Sequence, residues 1–276
     1  MIGFLLLFPG FISLFCNVGL TRANNRDVAV IMTDFKHGQD ENIVALADFG
    51  VRANSFENAS AAVTKAIAFC KTKKNVTLVL PGGRIDLWTE GSEKRELYIS
   101  NSTEDDSLPK VKHIAFLMDG FKDFTIEGNN TLVVLHGKMV SFAILNSENI
   151  HIKNLQFDYE RPTMSELSIV SASSQSIEAA VHPDSKYWID NGKLTWYGEG
   201  WKNNSSHAIV FKPGDETMHY SSFKPFAAGS VVETSPGHLT FTGDFSQLQF
   251  EPGDVLTVRD PYRDNCGAFI HLSKNI

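Results

Sequence analysis

The chain has 276 residues, 42% hydrophobic and 21% charged, with 25 basic against 32 acidic residues and a formal net charge of -7. That length suits one large domain or two ordinary ones, and an acidic balance with no basic block excludes a phosphate-tracking nucleic-acid binder. Twenty glycines, ten prolines and twenty phenylalanines suit an all-β chain with many turns, while three cysteines rule out a disulfide framework and a cysteine-based zinc site.

From Ile2 to Phe15 the chain is apolar apart from Pro9, Gly10 and Ser13, and its first charge is Arg22. Residues 1–23 therefore read as a secretory signal peptide, with small residues on both sides of Arg22 where a signal peptidase reads, and the protein is expected to be secreted. An uncleaved anchor is the alternative, and only then is a membrane a partner; the helix-breaking Pro9-Gly10 pair argues against it. Sequons begin at Asn58, Asn75, Asn101, Asn129, Asn203 and Asn204, against roughly two or three expected from composition, which suits a glycoprotein. Residues 24–46 form a connector with one strand at Val28–Ile31. After Ala47-Asp48-Phe49-Gly50-Val51 and a polar loop, Val63, Ile67 and Cys70 share one face of a helix that Asn58 or Ser60 can cap, with Lys71, Lys73 and Lys74 at its C-terminal end. A strand follows at Val76–Leu80 and stops at Pro81-Gly82-Gly83. Taken together, residues 47–85 resemble the N-terminal capping segment of pectin-lyase-like right-handed parallel β-helices.

An internal repeat points the same way. Phe121–Gly128 aligns with Ser147–Asn154 at an offset of 26 residues, about the length of one solenoid coil. Alternation puts Phe124, Ile126, Ile150 and Ile152 on one inner face, and Asn149 stands where a stacked polar residue turns a corner. Leu132–Leu135 and Phe142–Leu145 supply further walls, so the cap and first coils span 47–161. A third copy closes the chain: Phe269-Ile270-His271-Leu272 matches Phe142-Ala143-Ile144-Leu145, and Ser273–Ile276 continues the motif with one residue fewer. A coil that stops there leaves an open edge and an uncovered core, so the chain reads as the N-terminal part of a longer protein, truncated in mid-coil.

Residues 162–257 break the period and predict an inserted antiparallel module closing as a small β-barrel, after which 258–276 returns to the coil. Seven strands are expected, around Ser168–Ser171, Ser176–Val181, Lys193–Tyr197, Ala208–Phe211, Ser230–Glu233, Leu239–Thr242 and Val255–Val258. Turns fall at Pro213-Gly214, Pro236-Gly237 and Pro252-Gly253, and a tight hairpin at Asn191-Gly192.

The order of cap, coils, insertion and return, with Phe124–Gly128, Phe157-Asp158-Tyr159-Glu160-Arg161, Trp196–Trp201 and Pro252–Leu256, resembles the N-terminal half of glycoside hydrolase family 110. That resemblance, over residues 45 to 276, implies an inverting exo-α-1,3-galactosidase on a parallel β-helix with an inserted barrel, acting on a glycan. It also implies that the catalytic carboxylates lie beyond Ile276. Inversion needs one carboxylic acid and one carboxylate about 6.5–9.5 Å apart. Asp105-Asp106 reads as a solvated loop pair instead. Two clusters are candidates for contacting substrate: Asp158, Glu160, Arg161 and Glu166 where the chain leaves the wall, and Arg259, Asp260, Arg263 and Asp264 where it returns. A structural pairing of Arg161 with Asp260 is equally open.

No His-x-x-x-His or His-x-His pair exists, so no metal or other cofactor is expected, and His136 and His151 read as hydrogen-bonded wall residues. Trp196, Tyr197 and Trp201 read as module core before sugar platform. Two rivals to the galactosidase remain: a non-catalytic glycan-binding or structural β-helix protein, and a polysaccharide lyase. The lyase lacks a dense carboxylate cluster for calcium.

Overall fold

A computed structural model of the chain describes residues 42–99, 110–204, 208–214, 216–221, 229–259 and 266–276, all within one unit, Glu41–Ile276. The signal peptide, the Val28–Ile31 strand, Asp105-Asp106, the Asn101 sequon, Asp260, Arg263 and Asp264 lie outside the described residues.

The described chain begins with β1 (Asn42–Ala45) and a 3-10 turn at Leu46–Phe49. The stretch expected to be a plain connector thus ends in a strand, and β1 pairs in parallel with β2 (Val76–Val79). Only Val44 of β1 is buried, which is too little apolar periodicity to show in the sequence. Helix α1 (Ser60–Cys70) carries the expected face, with Val63, Ala66, Ile67 and Cys70 buried. Ala59 occupies its cap position, and the Asn58 carboxamide just before it accepts the Ser60 N–H at 2.9 Å, supplying an acceptor for a donor the first turn leaves open. Ser60 also ties the helix to the wall: its hydroxyl donates to Trp88 O at 2.7 Å and accepts from Trp88 N at 2.8 Å.

The wall continues with β3 (Arg84–Trp88), β4 (Glu93–Glu96), β5 (Val111–Asp119), β6 (Lys122–His136), β7 (Met139–Leu145) and β8 (Glu148–Tyr159). One sheet joins β1, β2, β3 and β8 to β6 or to each other, every pair parallel. Here the 26-residue repeat is the pairing register, since Phe124 lies opposite Ile150 and Ile126 opposite Ile152. Phe124, Ile126 and Ile150 are fully buried in a core shared with α1, β5 and β7. At the corner, Asn149 adopts φ 54°, donates to Asp123 Oδ1 at 2.6 Å and accepts from Asn275 Nδ2 at 2.9 Å. Gly128 permits the close approach of β6 and β8, because a Cβ there would stand 2.2 Å from Asn154 O.

The inserted segment folds into β9 (Met164–Ala172), β10 (Ser176–Val181), β11 (Lys186–Asp190), β12 (Lys193–Gly198), β13 (Trp201–Asn203), β14 (Ala208–Lys212), β15 (Thr217–Ser221), β16 (Ser230–Ser235), β17 (His238–Thr242) and β18 (Val255–Arg259). Each of the seven expected strands is present, and β11, β13 and β15 are additional. Seven strands form an antiparallel sheet ordered β15-β14-β18-β9-β10-β17-β16, and β11-β12-β13 forms a separate sheet. Among the described residues the large sheet ends in two edges, at β15 and β16, so the expected closure into a barrel is not seen there, and the large sheet packs with the small one. Trp196 and Trp201 of the small sheet join Leu167, Val210 and Phe241 of the large one in a single core. Asn191 and Gly192, both at positive φ, make the tight turn that joins β11 to β12.

The final strand, β19 (Cys266–His271), pairs in parallel with β7, in a second sheet ordered β19-β7-β5-β4. Its register corrects the repeat: Phe269 lies opposite Ala143, one position from the expected Phe142. Ser273 Oγ accepts the Ser147 N–H at 3.0 Å and Asn275 bonds Asn149, so the polar corner sets the alignment. A one-residue slip exchanges faces, and Phe269 therefore packs with Leu117, Ala143 and Leu145. Cys70 and Cys266 are not bridged to each other. No helix among the described residues is long and apolar enough to cross a membrane.

Candidate functional site at the wall-to-module junction

Strand alternation decides which side chains the wall presents. Ile85 and Leu87 of β3 point into the core, so Arg84, Asp86 and Trp88 point away from it, beside Val134 and His136 of β6. In register, Asp86, Val134 and Asp158 share one row across three strands. Glu160, just past β8, extends the row of Trp88 and His136.

Those side chains form one charged network. Arg84 clasps Asp86 through Nε, 3.1 Å from each carboxylate oxygen, and through its terminal nitrogen at 2.6 Å, and the same nitrogen reaches Glu160 Oε2 at 3.0 Å. His136 places Nε2 2.9 Å from Asp86 Oδ1 and Nδ1 2.9 Å from Glu199 Oε1, with its ring stacked on Trp88 at 3.7 Å between centroids. Glu199 belongs to the turn between β12 and β13, and its other oxygen accepts the Gly137 N–H at 3.1 Å. The module is thereby clamped to the wall. Asp86 is 1% exposed. Burial alone would raise its pKa, but the hydrogen bonds from Arg84 and then His136 outweigh that and hold the carboxyl below its ordinary value. A carboxylate kept ionised and enclosed is a poor proton donor, so this network holds structure and binds partners better than it protonates a leaving group.

Among the residues expected at the exit, Asp158 is exposed and accepts its neighbour's Tyr159 N–H, and Glu160 is exposed and paired with Arg84. Arg161 differs from its expected role. It is 4% exposed, donates to Met164 O and Ser165 Oγ, and lies over the Trp201 ring at 5.4 Å, so it pins β9 to β13 and does not face a sugar. Its burial lowers its pKa, against the opposing influence of Asp184 and Tyr197, and among the described residues no carboxylate is bonded to it. Glu166 lies inside the module, accepting from Thr257 Oγ1 at 3.3 Å. Arg259 closes β18 opposite Met164, and its carbonyl accepts Asn203 Nδ2 at 2.8 Å. The exit and return strands are therefore neighbours.

That last bond engages the asparagine of one expected glycan site. Asn203 is 7% exposed with its amide nitrogen engaged, whereas Asn75 and Asn204 are open to solvent. Asn58 is exposed, although its amide nitrogen donates to Glu90 O, and Asn129 is half-buried. The Arg84, Asp86 and Glu199 members of the network were not anticipated. Apart from the Arg84–Asp86 pair two residues apart, their contacts span 50 to 76 residues, and no local spacing announces them. Trp196 and Trp201 are core, as read.

Residues 165–256 match the family described as GLAA-B beta-barrel domain I. Across 244 residues the chain is 39% identical to a protein named alpha-1,3-galactosidase A from Bacteroides fragilis, covering 87% of this chain and 40% of that relative. It is 33% identical over 241 residues to an alpha-1,3-galactosidase A from Shewanella woodyi (85% and 39%), and 30% identical over 244 residues to an alpha-1,3-galactosidase B from Bacteroides thetaiotaomicron (84% and 38%). The resemblance to glycoside hydrolase family 110 holds. The chain spans about 40% of the length of these relatives. The aligned length runs through both the wall and the module, so the likeness is not confined to the inserted domain.

Proposed function

We propose that this chain is the N-terminal part of a secreted, carbohydrate-active protein of the exo-α-1,3-galactosidase kind, which removes terminal α-linked galactose with inversion. The observation that carries this reading is the 39% identity over 244 residues to a protein named alpha-1,3-galactosidase A. In this reading the parallel wall strands are the first coils of a right-handed β-helix capped by α1. The register of 26 residues and the shared Asp123, Asn149 and Asn275 corner favour that architecture. Residues 162–257 are the insertion, and residues 258–276 rejoin the coil.

The carboxylates that protonate the leaving oxygen and activate water lie outside this chain. The network around Asp86 favours this division of labour, because Arg84 and His136 occupy the carboxylate that would have to give up a proton. What the junction supplies is Asp158 and Glu160, exposed acceptors for sugar hydroxyls. The test is to add an α-1,3-linked galactobiose to the purified chain and to a longer form, measuring binding by calorimetry and galactose by coupled assay. Binding by both with release by the longer form alone is expected. Equal release by the two forms would overturn the placement of the catalytic groups, and an unsaturated product absorbing in the near ultraviolet would identify a lyase instead.

A further inference from the structure

The β11-β12-β13 sheet buries one face in the module core and leaves the other open. Tyr187, Ile189, Leu194, Trp196 and Trp201 turn inward, so alternation sends Trp188, Thr195 and Tyr197 outward with a set of charges. Trp188 is 41% exposed and its ring lies 5.1 Å from that of Tyr197 at 42°. An exposed indole and phenol meeting at this angle make a shallow aromatic ledge on a flat three-stranded surface. Such a ledge suits the C–H face of a pyranose ring, and galactose, whose axial 4-hydroxyl leaves one ring face free of hydroxyls, presents a continuous one.

The charges around the ledge are unusual for this protein. Lys186 pairs in register with Tyr197, which pairs with Lys202, so the phenol stands between two lysines in one row, their backbones about 10 Å apart at two strand spacings. At the far end Asp190 lies opposite Lys193 and offsets it. Among the described residues no carboxylate is ion-paired with Lys186 or Lys202. In a chain of net charge -7, the ledge is thus bracketed by two lysines that make no ion pair among the described residues, and like charges flanking one position favour an anion between them. Among the described residues no arginine lies on this face. A planar carboxylate is best matched by a guanidinium fork, whereas a tetrahedral sulfate ester accepts point charges from two sides.

We propose that the outer face of the β11-β12-β13 sheet is a second glycan-binding site, which takes a galactoside carrying a sulfate ester, with the sugar ring on Trp188 and Tyr197 and the sulfate between Lys186 and Lys202. Only the choice of galactose rests on the reading above; the aromatic ledge and the charge pattern do not. The site is separate from the Asp158 and Glu160 junction, which favours uncharged hydroxyls.

The experiment titrates the full chain with sulfated galactobiose and with its unsulfated form at low ionic strength, read by calorimetry and tryptophan fluorescence. The sulfated sugar is expected to bind at least tenfold more tightly, and the preference to shrink as salt is added. Trp188→Ala, or Lys186→Gln with Lys202→Gln, should bring the sulfated ligand down to the affinity of the neutral one, with an unchanged circular dichroism spectrum. No preference in the wild-type chain, or a preference that survives either variant, overturns the proposal. Affinity for the neutral sugar reports on the junction: its loss in Asp158→Asn with Glu160→Gln, with the sulfate preference kept, bears on the junction alone.

Discussion

His136 Nδ1 lies 2.9 Å from Oε1 of Glu199, a residue 63 positions further along the chain in the turn of a module hairpin. Since Nε2 of the same ring faces Asp86, both ring nitrogens lie within hydrogen-bond reach of carboxylate oxygens. The contact joins the inserted module to the wall through one side chain.

Replacing Glu199 with Ala removes the acceptor for both Gly137 N–H and His136. The loss is expected to be about 1–2 kcal/mol, given that the carboxylate is partly solvated, and to lower the melting temperature by about 2–4 °C per kcal/mol. His136→Ala should cost more, about 3 kcal/mol, since it also leaves Asp86 buried with one partner fewer. Calorimetric melting curves of the two variants would check the order; a larger loss in the Glu199 variant would show the clamp to be misread.

Acid should weaken the fold in a definite direction. The Asp86 carboxyl is held below its ordinary value, and so is that of Glu127, where burial is outweighed by the Asn129 N–H, the Asn154 amide and Lys153. A depressed folded-state pKa means that the stabilisation is fully present above the unfolded value, about pH 4 for carboxylates, and is lost as pH falls through the folded value. Melting temperatures should therefore be flat with respect to these two groups near neutrality and fall below about pH 4. Asp86→Asn should flatten part of that acid limb, and an unchanged limb would count against the assignment.

Asn149 combines a left-handed backbone at φ 54° with bonds to Asp123 and Asn275. Asn149→Ala should lose both the bonds and the conformational ease, about 2–3 kcal/mol together. Asn149→Gly keeps the backbone relaxed and should be less destabilising than the Ala variant. Chemical denaturation of the pair reads the difference directly, and the reverse order would refute the corner as described.

Gly198 sits where a Cβ would stand 2.3 Å from Trp201 Nε1 and 2.7 Å from Arg161 Cγ. Gly198→Ala must displace the Trp201 ring or the arginine beneath it, costing about 1–3 kcal/mol by overpacking. A shifted tryptophan emission maximum should accompany the lost stability.

What the sequence revealed and what it concealed divide along physical lines. The 26-residue repeat was legible because parallel stacking places like residues opposite one another, as with Phe124 and Ile150. The alignment at the end of the chain slipped by one residue because Phe269 and Phe142 match as letters, while the polar contacts of Ser273 and Asn275 govern the register. The cluster of Arg84 and Asp86 with Glu160 and His136 was hidden, since the β3 pair meets the other two only after separate strands come into line. Trp188 was missed for another reason. Asn191-Gly192 signals a hairpin turn, and a hairpin requires a strand before the turn as well as after it; that strand is β11, which carries Trp188.

Met164 and Arg259, the first residue of β9 and the last of β18, are paired neighbours. The module's two ends therefore meet within about 5 Å, a gap that a short turn can bridge. Such a module resembles a cassette, whose presence leaves the spacing of the wall strands that carry it unchanged.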